Sequence, residues 1–222
     1  MSSASLTITV ADVSVQLRPE RAIFIPSLQT LVVADLHWGK AAAFRAAHVP
    51  VPTGTTASDL ARLSSVLHST GAERLIVLGD LLHAKHGRHP DTLATIHQWR
   101  QAHTSLAIDV VRGNHDHHAG DAPSTFNIRA SDAPLRFGPF VGYHEPTPHA
   151  TGYVLSGHLH PHVTLRGRGR QSLTLPCFIL GPTIGILPAF TEFTGHGAYT
   201  PTPSDQVYAI AGDQVIATQQ RA

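Results

Sequence analysis

Aspartate, asparagine and histidine recur in this chain in four short clusters: Asp35-Leu36-His37, Gly79-Asp80, Gly113-Asn114-His115-Asp116 and Gly157-His158-Leu159-His160. Oxygen and imidazole donors of this kind suit hard or borderline divalent cations. Each cluster directly follows a short apolar run: Leu31-Val32-Val33-Ala34, Leu75-Ile76-Val77-Leu78, Ile108-Asp109-Val110-Val111 and Tyr153-Val154-Leu155-Ser156. Such runs read as buried strands, and the C-terminal ends of strands carry the sites of open α/β sheets. In His158-Leu159-His160 the spacing of two puts both rings on one side of an extended chain. Histidine abundance is not itself the signal. Of the 17 histidines, His48, His68, His97, His103 and similar ones read as helix-surface residues.

The elements that must position these clusters can be read outward from them. The start of the chain reads as strands over Leu6 to Val10, Val13 to Leu17 and Ala22 to Ile25, broken at Pro19 and Pro26-Ser27. Lys40 to Ala47 favours helix. Ser58 to Thr70 places Leu60, Leu63 and Leu67 on one helical face, with Ser58 available as N-cap and Gly71 as terminator. A second helix begins at Pro90-Asp91 and turns Leu93, Ile96 and Trp99 inward. These helices cross over between the strands that end at Asp35, Asp80 and Asn114, which predicts parallel pairing there. From Ser124 the pattern changes to short strands between Gly and Pro turns: Thr125 to Arg129, Phe140 to Tyr143, Tyr153 to Ser156, Val163 to Arg166, Ser172 to Leu175, Val207 to Ile210 and Val215 to Ala217. This half is expected to be mostly antiparallel. The fold expected is α/β, with two mixed sheets packed face to face and helices outside.

The chain has 222 residues and no linker-like or charge-block boundary, so residues 1 to 222 are expected to form a single domain. A net charge of +1 gives no general attraction to nucleic acid, and a polyanionic partner must meet a local patch. Cys177 is the lone cysteine, which excludes an internal disulfide and suits a reducing compartment. There is no signal-peptide pattern at the N-terminus and no apolar run of transmembrane length. A soluble, cytoplasmic protein without membrane contact is the expectation.

In order and in strand context, the four clusters together with an isolated histidine resemble the calcineurin-like metallophosphoesterase superfamily. The resemblance implies an α/β/β/α sandwich and two divalent cations. Asp35, His37 and His160 would complete one site, Asn114, His144 and His158 the other, and Asp80 would bridge them. His149 and His162 are alternatives to His144. His115 resembles the general acid, with Asp116 holding its imidazole by a hydrogen bond and favouring the cation; a third ligand is its other reading. Two ions sharing one carboxylate would support in-line hydrolysis of a phosphoester.

The superfamily's protein phosphatases carry Gly-Asp-x-Val-Asp-Arg-Gly, whereas Gly79-Asp80-Leu81-Leu82-His83-Ala84-Lys85 lacks that Arg. The phrases Ala34-Asp35-Leu36-His37-Trp38-Gly39-Lys40, Phe44-Arg45, Val51-Pro52-Thr53-Gly54-Thr55-Thr56, Leu175-Pro176-Cys177-Phe178 and Leu187-Pro188-Ala189-Phe190 are similar to the ligase-associated DNA damage response endonuclease branch. That likeness implies a DNA phosphodiesterase, with manganese ahead of iron, zinc or magnesium, and association with an ATP-dependent DNA ligase and an Lhr-type helicase. Arg166, Arg168 and Arg170, in a hairpin just past His160, could contact phosphates flanking the scissile one. His83 is a further substrate contact or an orienter of a ligand, and Arg45 and Lys40, which follow the first motif, read as substrate contacts or as helix-surface residues. A diesterase for cyclic or dinucleotide substrates and a catalytically silent metal-binding scaffold are the alternatives.

Overall fold

The computed structural model describes residues 4–218 apart from 196 and 198. The N-terminal strands β1 (Leu6–Val10), β2 (Val13–Arg18), β3 (Ala22–Ile25) and β4 (Thr30–Val33) form an antiparallel meander. Helices α1 (Lys40–Ala46) and α2 (Thr55–Thr70) lead to β5 (Arg74–Leu78), α3 (Pro90–Ala102) leads to β6 (Ala107–Val111), and α4 (Asn114–Ala119) precedes β7 (Arg129–Ser131). The first sheet has the order β1-β2-β3-β4-β5-β6-β7, with β4 through β7 parallel. The rest of the chain supplies β8 (Leu135–Phe137), β9 (Phe140–Gly142), β10 (Tyr153–Ser156), β11 (His162–Arg166), β12 (Ser172–Leu180), β13 (Ile184–Ile186), β14 (Gln206–Ala211) and β15 (Gln214–Ala217). These make a second sheet in the order β15-β14-β12-β13-β10-β9-β8, with β11 paired to β12.

The apolar runs are continuous because both faces of the first sheet are covered. Leu31, Val33, Leu75, Val77, Ile108 and Val110 face the helix layer, against Leu60, Leu63 and Leu67 of α2 and Ile96 and Trp99 of α3. The alternate residues Val32, Ala34, Ile76 and Leu78 face Phe137, Phe140, Leu155, Phe178 and Leu180 of the second sheet. The two-sheet sandwich is therefore present. Its helical layer is one-sided among the described residues: the outer face of the second sheet, with Cys177, Ile179, Ile186 and Val207, is covered by Leu159, Val163, Ile184 and Tyr199. No helix among the described residues is long and apolar enough to cross a membrane.

Several local expectations are corrected. α2 starts at Thr55 behind Gly54, in a left-handed conformation at φ 85°, so Ser58 lies inside the helix and does not cap it. Thr125 to Arg129 is not a strand. Ser124–Phe126 forms a 3-10 turn because the Phe126 side chain is buried in the helix layer and its carbonyl accepts a 2.7 Å bond from Arg100 Nε. The following strand, β7, joins the first sheet. The second sheet is mixed and mostly antiparallel, as expected, and its parallel exceptions are the pairings of β10 with β9 and with β13.

The two parallel pairings matter for position. Parallel strands need crossover connections and point their C-terminal ends the same way. β4, β5 and β6 deliver Asp35, Asp80 and Asn114, while β9 and β10 deliver His144 and His158, so two sheets converge on one edge.

Asp109, a carboxylate inside β6, is explained by cross-strand partners: Arg74 Nε at 2.7 Å and Arg129 Nε at 2.7 Å. Burial acts to raise its pKa, yet the hydrogen bonds from Arg129 and Arg74 outweigh burial and hold the carboxyl below the usual range. A depressed pKa gives stability that is present above the ordinary carboxylate value and lost as pH falls through the folded one. Asp109→Asn is expected to lower the urea midpoint at pH 7, with the gap to the parent closing on acidification below about pH 4. Urea titrations from pH 7 downward measure it, and a gap that widens toward acid contradicts it.

Candidate metal centre

The side-chain donor atoms of the convergent edge form two adjoining clusters. In one, His37 Nε2 lies 3.7 Å from Asp80 Oδ2, and His160 Nε2 lies 3.6 Å from Asp35 Oδ1. In the other, His144 Nε2 stands 3.6 Å from Asp80 Oδ1, 3.0 Å from Asn114 Oδ1 and 3.0 Å from His158 Nδ1. The structure thus brings together Asp35, His37, Asp80, Asn114, His144, His158 and His160. The two oxygens of Asp80 face different clusters. Of the alternatives to His144, His149 is half-buried and accepts from the Thr151 amide, and His162 turns its Nδ1 to the His160 carbonyl oxygen.

The backbone is bent to achieve this. Asp35, His37, Asp80, His158 and His160 have φ of 53°, 45°, 52°, 69° and 43°. Left-handed conformations in non-glycine residues are sparsely populated and cluster at functional sites. Close approach also fixes residue type: a Cβ on Gly79 would overlap the His144 ring, and one on Gly113 would overlap the Asp80 carboxylate.

The donors are set for cations. Asp35 Oδ1, His37 Nε2 and His160 Nε2 are buried without a hydrogen-bond partner, although buried polar atoms are ordinarily paired. Burial, followed by the charges of Lys40 and the neighbouring histidines, pushes the His37 pKa strongly down, so its ring is neutral, as a ligand must be. Burial pushes the Asp80 carboxyl up; His144 opposes this, and the nearby Asp35 adds to it. Remote nitrogens are anchored by hydrogen bonds of the kind that hold metal-binding imidazoles. His144 Nδ1 donates to the Leu78 carbonyl oxygen at 3.2 Å, and His37 Nδ1 faces His83 Nδ1 at 3.3 Å. Burial, then His115 and Lys40, lower the His83 pKa to about 4, leaving it neutral and able to accept from His37. His83 is thereby placed to hold the His37 ring in one orientation.

His115 is half-buried beside this centre, its ring stacked on His83 at 4.5 Å between centroids and edge-on to His37 at 5.0 Å. Its amide donates to Asp80 Oδ1 at 2.9 Å, and its Nδ1 donates to the His83 carbonyl oxygen at 2.8 Å. Nε2 is left as the nitrogen that can exchange a proton. The expected Asp116–imidazole bond is absent. The Asp116 carboxylate accepts instead from the amides of Gly113 at 3.0 Å, Leu82 at 3.0 Å and Leu81 at 3.3 Å. Asp116 lies one residue along a helix from His115, and neighbours at that spacing do not face each other.

The substrate candidates divide. Arg45 is exposed, its guanidinium bonded to the Pro52 carbonyl at 2.9 Å. Arg166, Arg168 and Arg170 are exposed around the β11–β12 turn; at about 3.3 Å per residue, roughly 20 Å of extended chain separates His160 from Arg166. Thr194 was missed. Its hydroxyl stands 2.9 Å from His160 Nδ1 and 3.1 Å from Lys40 Nζ, and nothing in Thr191-Glu192-Phe193-Thr194 marks it.

Two mixed sheets facing each other, with a paired Asp/His/Asn centre at the ends of their parallel strands, define a fold of the metallophosphoesterase type. The solved structure of Pseudomonas putida nuclease MPE is 40% identical to this chain, covers 97% of it and 100% of its own length, and superposes with a TM-score of 0.86. Yfce, a phosphoesterase from E. coli, is 14% identical over 82% of this chain and 88% of its own, and its TM-score of 0.36 is too low to add to the assignment. No protein-family model and no curated protein matches the chain. The chain belongs to the metallophosphoesterase family that includes nuclease MPE.

The corrected role of Asp116 gives an expected outcome. Asp116→Asn places an amide NH2 against backbone N–H groups, leaving a buried donor unpaired at about 1–3 kcal/mol. Urea unfolding of the metal-free protein should show that loss, while the relative rates on diesters with good and poor leaving groups stay as in the parent. A changed rate ratio without a stability loss would restore Asp116 as a partner of His115.

Proposed function

We propose that this protein is a metal-dependent phosphodiesterase that cleaves DNA. The observation that carries the reading is Asp80, whose two carboxylate oxygens each face a separate cluster of imidazoles and side-chain oxygens. Asp35, His37, His160 and one oxygen of Asp80 would hold one divalent cation; Asn114, His144, His158 and the other oxygen would hold the second. Bound ions in such a pair supply an activated water and neutralise charge developing on the phosphoryl oxygens. A donor set of imidazole, carboxylate and amide oxygen without thiolate supports manganese, iron or zinc, and we place manganese first. His115, anchored through Nδ1, protonates the departing oxygen from Nε2.

The relative's name, a nuclease, and the exposed Arg166, Arg168 and Arg170 support a nucleic acid as substrate. On this reading these arginines contact phosphates flanking the scissile one. The phrases similar to the ligase-associated branch support a role in DNA repair, beside an ATP-dependent ligase and an Lhr-type helicase.

The direct test is turnover of a chromogenic diester and of supercoiled plasmid across a panel of divalent ions, with metal analysis of Asp80→Asn. A neutral amide does not bridge two cations as a carboxylate does, so this variant should lose turnover and the occupancy of both positions. Two ions per chain with parental activity in Asp80→Asn would sink the proposed centre.

His115→Ala separates acid from ligand. A nitrophenolate leaves without a proton, whereas a sugar alkoxide does not, so the variant should keep its metal and lose about 10²–10⁴-fold on DNA but far less on a bis-nitrophenyl diester. Equal losses on both, with metal missing, would make His115 a ligand.

A further inference from the structure

The chain beyond β13 doubles back across the metal centre. Leu187 N donates to the Ser156 carbonyl at 2.8 Å, Phe190 N to that of Ala34 at 2.7 Å, and Thr191 N to that of Asp35 at 3.4 Å. Side chains from two other elements fasten it. Arg21 donates to the Thr191 carbonyl at 2.7 Å, the Thr191 hydroxyl donates to Asp59 at 2.7 Å, and Arg62 lies 4.4 Å over the Phe190 ring while pairing with Glu192 at 2.7 Å. This fastening delivers the Thr194 hydroxyl between Lys40 Nζ, at 3.1 Å, and His160 Nδ1, at 2.9 Å.

A neutral imidazole has one N–H and one lone pair, and which nitrogen carries the proton is set by the partner of the other. Nε2 of His160 is buried and unpartnered, 3.6 Å from Asp35 Oδ1, beyond hydrogen-bond length. A proton there would be a buried donor without an acceptor. On Nδ1 the same proton meets the Thr194 oxygen. Lys40 has donors only, so its ammonium takes one lone pair of that oxygen and turns the hydroxyl proton away, leaving the second lone pair for His160.

We propose that Thr194, held by Lys40, is a positioning residue that fixes His160 as the Nδ1–H tautomer and so presents the Nε2 lone pair to a divalent cation. The assignment rests on the reading of the centre as a metal site. Hydrogen-bond partners of ligating histidines typically change metal affinity about 10–100-fold.

The test is calorimetric titration of the metal-stripped parent, Thr194→Val, Thr194→Ser and Asp80→Asn with Mn2+. Thr194→Val should bind one of two ions about 10–100-fold more weakly, and Thr194→Ser should bind as the parent does, with equal melting temperatures for all three metal-free proteins. Parental affinity in Thr194→Val, or equal weakening in Val and Ser, overturns the role of the hydroxyl. A parent that binds no Mn2+, or an Asp80→Asn variant that binds as the parent does, overturns instead the underlying reading of the centre. Should Thr194→Val fail to fold, the nitrogen chemical shifts of His160 in the metal-free parent decide: Nδ1–H supports the proposal and Nε2–H ends it.

Discussion

Asp35, Asp80 and His144 place ligand atoms within 4.8 Å of one another inside the protein, with further lone pairs on His37, His158 and His160 around them. Lone pairs repel lone pairs, and burial removes the water that would screen them. The polypeptide supplies no cation at the middle of this arrangement: Lys40, the basic side chain whose charge acts on Asp35 and Asp80, spends a hydrogen bond on Thr194 at the rim. Divalent ions resolve the conflict that folding creates, which is why the same atoms appear as buried groups without partners.

The scaffold is shaped by the need to hold that arrangement still. Five of the proposed ligands sit in left-handed backbone conformations, each costing of order 1–3 kcal/mol unless its surroundings over-determine it. The surroundings here are five strand ends from two packed sheets, whose interiors interleave Ile76 and Leu78 with Leu155 and Phe178. Crossovers in both sheets point the strands one way, so short loops reach the centre from several directions and none needs to be long. Backbone contacts tie those loops together: Asp35 N donates to the Gly79 carbonyl at 3.2 Å, and His37 N to the Asp80 carbonyl at 2.7 Å.

Residues that act where a strand ends were legible in the sequence, because strand periodicity and a terminal Asp, Asn or His occur together in the primary structure. Asp35, Asp80, Asn114 and the His158/His160 pair are of this kind, and His144 could be placed once its strand was recognised. The parallel pairing of β10 was not legible, since a ten-residue loop between two short strands reads equally as a hairpin or a crossover. α4 was hidden because its sequence, Asn114 to Ala119, is the donor motif itself, rich in histidine and without apolar periodicity. Thr194 and the Arg21, Arg62 and Asp59 fastening were invisible for a different reason: Thr194 meets His160 across 34 residues and the fastening acts across more than a hundred, through contacts that no local pattern records. Arg45 shows the converse, a charged residue beside a motif whose nearest carbonyl, Pro52, claims it.

The turn from Gly113 to Asp116 shows why adjacent residues here cannot exchange roles. Gly113 admits the Asp80 carboxylate, Asn114 reaches His144 at 3.0 Å, and the amide of His115 steadies Asp80 while its ring hangs on the His83 carbonyl. Successive residues of a helix point about 100° apart, so the fourth side chain is directed away from the ring of the third. Asp116 uses that direction to bind the amides of Leu81 and Leu82, the residues immediately after Asp80. Helical geometry alone gives the candidate ligand, the candidate proton donor and the fastening their separate directions, and the carboxylate that a sequence reading pairs with its histidine neighbour serves instead to lock the Asp80 loop onto α4. Rigidity of the shared carboxylate and orientation of the proton-bearing ring follow from the same single turn of helix.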